Sequence, residues 1–114
     1  MREKIVLLIP LAFNDGTEIP QDVLNRIFDE LFVLCGGYRI AGRGRGAYRM
    51  RDGSKQVEET LEVWAAIEPA DLPQLVRLVM RFCIELGQEC IWFERTGATV
   101  EFLGPNSSDG GSNG

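Results

Sequence analysis

The chain has 114 residues, 45% of them hydrophobic and 25% charged, a composition that fits one globular domain with one core. Its formal charge is −5 and its sequence pI is near 4.7, which disfavours bulk attraction to nucleic acid or to an anionic membrane. It contains no histidine, so His–Ser and His–Cys catalysis, histidine–metal ligation and histidine pH switching are excluded together.

Arg2 and Lys4 lead into an apolar run over residues 5–13. Glu3 among the basic residues, Pro10 within the run and no small-x-small cleavage site argue against a signal peptide. The run is too short to span a bilayer. Residues 4–13 are apolar on both parities, which predicts a central strand covered on both faces. NDGTEIP then reads as a loop.

Residues 20–35 carry apolar side chains at helical spacing, with Pro20 and Asp22 suited to a first turn and Gly36-Gly37 to a C-cap. Residues 38–51 predict a second strand, Asp52-Gly53-Ser54 a hairpin turn, and residues 56–68 a third strand. The odd positions of this third strand are mostly apolar and the even ones mostly polar. Asp71 opens a second helix that runs to about Leu86, with Gly87 at its end. Residues 89–95 predict a fourth strand. Thr96-Gly97 reads as a tight turn, from which Thr99–Leu103 would return as a fifth strand.

The order β-α-β-β-α-β predicts an α+β, ferredoxin-like sandwich, with two helices on one face of an antiparallel sheet and an extra C-terminal hairpin strand. A single domain over 1–103 is expected, followed by a Gly/Ser/Asn-rich tail over 104–114. Cys35, Cys83 and Cys90 are odd in number and show no C-x-x-C spacing, so reduced thiols in a cytoplasmic chain are the expectation. Neither a metal site nor a cofactor fingerprint is present in the spacing; the G-x-G at 42–46 lies inside a strand with no helix after it.

Arginines at 39, 43, 45, 49 and 51 share one parity. One reading is an anion- or nucleic-acid-binding face through Arg43, Arg45 and Arg49, with Tyr48 and Trp64 nearby for stacking. The other comes from the hairpin. A two-residue turn at Asp52-Gly53, or a four-residue loop over 52–55, sets the arginines beside the glutamates of the third strand. Cross-strand pairing then neutralises them. Glu59 is the odd carboxylate on the third strand's apolar face and is a candidate acid–base group; a solvated position near the hairpin end is the blander reading. Gln88 and Glu89 either cap the fourth strand or line a cleft at the end of the sheet.

PLAFNDG, GGY, G-x-G-x-Y, DG, the Glu-bearing strand and LGQE-x-I-W together resemble a group of small uncharacterised bacterial ferredoxin-like proteins, over residues 4–95. The resemblance implies the fold, with Gly37, Tyr38, Gly46, Tyr48, Glu59, Gln88 and Glu89 as the matching positions.

Three functions are then open. The leading expectation is a non-enzymatic homo-oligomeric assembly module, in which Val6, Leu8, Trp64 and Ala66 form an interface on the uncovered sheet face. The second is the arginine-strand binder of anions. The third is a cofactor-independent small-molecule enzyme or pocket between the sheet and the helices that uses Glu59 and Tyr48, with Glu89 as a further ligand-binding candidate.

Overall fold

The computed structural model describes residues 1–106; the expected tail lies mostly outside them. Its strands and helices run in the order β1 (Arg2–Pro10), α1 (Gln21–Cys35), β2 (Arg39–Arg49), β3 (Lys55–Ile67), α2 (Leu72–Glu85) and β4 (Trp92–Val100), with a 3₁₀ turn at Pro69–Asp71 before α2. The sheet order is β2-β3-β1-β4 and every pairing is antiparallel. This is an α+β arrangement, compatible with a ferredoxin-like plan. No helix among the described residues is long and apolar enough to cross a membrane.

The doubly apolar first strand is central, as its composition requires. Its odd residues Ile5, Leu7 and Ile9 are fully buried and lie opposite Ala65, Val63 and Leu61 of β3. Leu24, Ile27 and Leu31 of α1 and Leu75, Val79 and Phe82 of α2 close the same core, so both helices cover the odd face. Gly36 ends α1 in the left-handed conformation, its N–H donating to the Phe32 carbonyl. Pro20 stands just before the first helical residue, and the Asp71 side chain makes no capping bond; the 3₁₀ turn leads the chain into α2 instead.

Two expectations are corrected. The first concerns the hairpin. Met50 N–H donates to the Ser54 carbonyl (2.8 Å) and Gly53 N–H to the Met50 carbonyl (2.9 Å). The loop therefore has three residues, with Gly53 at φ +85°, a common way to close a hairpin. Three residues, unlike two or four, set Arg45 opposite Glu59 and Gly46 opposite Glu58. A one-residue slip turns every side chain to the other face. Gly42 and Gly46 of β2 thus lie opposite Glu62 and Glu58, and Arg45 alone among its arginines lies opposite a glutamate. A second irregularity between Ile40 and Gly42 restores the other parity for Arg39, which lies opposite Trp64.

The second correction concerns the C-terminus. Thr96-Gly97 makes no turn, and residues 92–100 form one strand against β1. The register shifts between Glu3 and Ile5, where β4 carries extra residues, and Gly97 takes φ +79° there. The Gly that signals a turn is spent on a bulge.

Candidate functional site

Among the described residues the even face of the sheet has no helix over it, yet it is not bare. Val6 and Thr60 are buried and Trp64, Leu8 and Ala66 are half-buried. Val6 sits opposite Trp64, Lys4 opposite Ala66 and Leu8 opposite Glu62, so the four residues expected at an interface do share this face. Two tryptophans are tied down along their own strands. Trp64 Nε1 donates to Glu62 (2.7 Å) and Trp92 Nε1 to Glu94 (3.1 Å). Side chains on this face therefore cover one another, which reduces the apolar area left for a partner.

At one end of this face is a recess of about 100 Å³ lined by Leu8, Tyr48, Met50, Glu58, Glu89 and Trp92, among others. Each wall has a sequence reason. Tyr48 lies on the even face of β2 because of the three-residue loop, and its ring folds back over Gly46. A Cβ on Gly46 would stand 2.8 Å from the Tyr48 hydroxyl, so glycine here admits the ring. Glu58 occupies the even face of β3, opposite Gly46, and so lies beside the Tyr48 ring that covers that glycine. Glu89 reaches across from the segment before β4, and its Oε2 accepts the Arg51 N–H (3.2 Å). Gln88 belongs to the same segment, which Asn14 pins by donating its Nδ2 to the Gly87 carbonyl (3.1 Å). The Trp92 indole stands half exposed at the rim, with 52% of its surface open.

The electrostatics follow from this burial. Partial burial raises the Glu58 carboxyl above its usual value. Burial, and then the nearby Glu58 charge, raise the Tyr48 phenol. The recess thus holds a phenol that stays neutral and a carboxylate whose charge is poorly solvated. A cation placed there would relieve that cost.

The structure separates the residues proposed to act together. Tyr48 and Glu89 meet in the recess. Glu59 is on the opposite face of the sheet, largely exposed, where Arg43 Nη2 donates to its Oε2 (2.6 Å). That bond, first, and the Arg43 charge, second, lower the Glu59 carboxyl. Arg45 lies opposite Glu59, and Arg49 opposite Lys55. The arginines therefore gain one carboxylate neighbour instead of a facing row. Residue-by-residue reading missed Glu58. The signal that would have found it is the parity set by a three-residue loop closed by Gly53.

Of the thiols, Cys35 is buried, Cys83 partly so and Cys90 exposed. Desolvation pushes Cys35 up to about 11, which makes it a packing residue. No group of three or more potential metal-ligating side chains converges among the described residues.

No family model and no curated protein matches the chain. Among solved structures, a phage SAM lyase in complex with S-methyl-5'-thioadenosine matches it with a TM-score of 0.59 and 15% identity, over 84% of this chain and 82% of that one. At this identity the likeness concerns the fold alone, an α+β domain with helices on one side of an antiparallel sheet.

Proposed function

We propose that the chain is a ferredoxin-like enzyme that binds a sulfonium nucleoside of the S-adenosylmethionine (SAM) type in the even-face recess and cleaves its carbon–sulfur bond. The observation that carries this reading is Glu58, a half-buried carboxylate with a raised pKa beside Tyr48. The fold it shares with a SAM lyase supports it.

The chemistry suits a chain without histidine. A sulfonium leaves as a neutral thioether, with the bonding pair on sulfur, and needs no acid to protonate it. The substrate's own carboxylate oxygen supplies the new bond to the carbon left behind, closing a lactone, so no metal, water or external base is consumed. Positive charge disappears at sulfur in the transition state. The apolar walls of Leu8 and Met50 favour that loss, since they solvate the starting cation poorly. Glu58 and Glu89 serve the ammonium end, and Trp92 offers its exposed face to the purine. The recess is small and holds the charged end; the nucleoside lies outward along the sheet.

Incubation with SAM and detection of S-methyl-5'-thioadenosine by mass spectrometry tests the proposal. Product that is lost in Glu58→Gln, with the circular dichroism spectrum unchanged, is the expected result. No product, and no binding of SAM or S-methyl-5'-thioadenosine by calorimetry, overturns it.

Self-association is the second reading. It is favoured by the outer edge of β2, which has no strand partner among the described residues and turns alternate backbone groups outward, and by the exposed Ile40 on that strand. A monomer in native mass spectrometry at all concentrations counts against it.

A further inference from the structure

The opposite end of the even face carries a second feature. A groove of about 450 Å³ lies between the starts of β1 and β2 and the segment after β4. Among the described residues its charged lining is Lys4 and Arg39, with no carboxylate. Neither cation forms an ion pair among the described residues, although Arg2 nearby is paired with Glu68 at 3.5 Å. Both instead lie against one indole. Lys4 Nζ is 3.6 Å, and Arg39 Cζ 5.9 Å, from the Trp64 ring centroid. The bulge in β2 is what sends Arg39 to this face while Arg43, Arg45 and Arg49 point the other way.

Two unpaired cations that share one ring repel each other, and cation–π attraction offsets this only in part. An anion between them would relieve the repulsion. The rest of the lining combines small side chains with Tyr38 and Phe102. Tyr38 is backed by Phe28, their rings stacked at 5.1 Å, and stays 40% exposed; the Phe102 ring carries Arg2, whose Cζ is 5.4 Å from its centroid. Gly37 leaves the floor open, since a Cβ there would meet nothing within 4 Å. The volume far exceeds that of inorganic phosphate and suits a small organic molecule. We infer that this groove binds a nucleoside monophosphate, its phosphate at Lys4 and Arg39 and its base against the exposed part of Tyr38. The site is distinct from the Glu58 recess: its charge is of opposite sign and it lies at the far end of β1.

The chain has two tryptophans, so Trp92→Phe leaves Trp64 as the sole indole reporter. Titration of that variant with AMP, adenosine and inorganic phosphate tests the assignment. Saturable quenching by AMP is expected, with adenosine and phosphate each at least tenfold weaker. Arg39→Glu in the same background should weaken AMP at least tenfold, with Lys4→Gln as the milder second variant should Arg39→Glu fail to fold. Glu58→Gln should leave the titration unchanged, which separates this site from the proposed SAM site. The inference is overturned by adenosine binding as tightly as AMP, by AMP affinity that survives both charge changes, or by no saturable change at all. AMP affinity lost in Glu58→Gln would overturn it too, by moving the ligand to the recess.

Discussion

Tyr48 lies over Gly46, two residues earlier on the same face of β2, so closely that a Cβ on Gly46 would stand 2.8 Å from its hydroxyl and 3.1 Å from Cζ. A strand glycine is ordinarily a cost, about 0.5–1 kcal/mol relative to alanine. Here it makes room for an aromatic wall of the recess. Gly46→Ala should therefore keep the fold, with a stability change within about 1 kcal/mol, because the clashing atoms belong to the far end of a side chain that can swing. Binding of a sulfonium nucleoside should weaken at least tenfold. Thermal unfolding and calorimetry on the same sample check the two halves; equal affinity in Gly46→Ala would remove Tyr48 from the site.

Glu58 sets a pH dependence with a definite sign. Burial raises its folded-state pKa above the ordinary carboxylate value. Such a group binds more protons folded than unfolded, so its contribution to stability is full below the unfolded pKa and falls as pH rises through the folded one. Glu58→Gln should thus raise the melting temperature at pH 7 relative to wild type and have less benefit at pH 4. Binding of a cationic ligand runs the other way. It requires the ionised carboxylate and should tighten as pH rises through the same range. Melting curves and affinities from pH 4 to pH 8 check both. A flat difference between the two proteins would show that Glu58 is solvated.

The elements were legible in the sequence where the pattern was long. The central position of β1 follows from its two apolar parities, and both helices follow from their spacing. The site was not legible, and the reason is one residue of loop. Tyr48 and Glu58 become neighbours only when the hairpin closes through Met50 and Ser54. Asp-Gly signals a turn without fixing its length. A two- or four-residue loop directs attention to the arginine row and to Glu59. The three-residue loop puts Gly46 opposite Glu58 and Gly42 opposite Glu62, which leaves room on this face for the Tyr48 ring and the recess beside it.

Gly97 tests the bulge that replaced the expected fifth strand. Its φ of +79° favours glycine, and nothing within 4 Å would obstruct a Cβ. The penalty of Gly97→Ala is therefore conformational alone, about 1–2 kcal/mol. Gly97→Asn should recover much of it, since Asn tolerates the left-handed region. Chemical denaturation of the three proteins checks the order glycine, asparagine, alanine. Alanine as stable as glycine would mean that this segment of β4 is extended in solution.

Phe82 and Ile84 separate burial from composition on α2. Phe82 is fully buried beneath the sheet, whereas Ile84, two residues on, leaves 82% of its surface in water. Truncation of Phe82 to alanine removes a large side chain and leaves a cavity among Leu7, Val63 and Leu75 and their neighbours in the core, a change that costs about 3–5 kcal/mol. That is a large share of the roughly 5–15 kcal/mol of a typical domain, so the variant should populate the unfolded state in mild urea. Ile84→Ala removes a side chain that folding barely shields, and alanine has the better helix propensity by at most about 0.7 kcal/mol, so its midpoint should stay level or rise slightly. Urea titrations followed by tryptophan fluorescence check the pair. Comparable losses in both variants would mean that the outer face of α2 is covered in solution, which would turn attention from the sheet to this helix as the surface through which the chain self-associates.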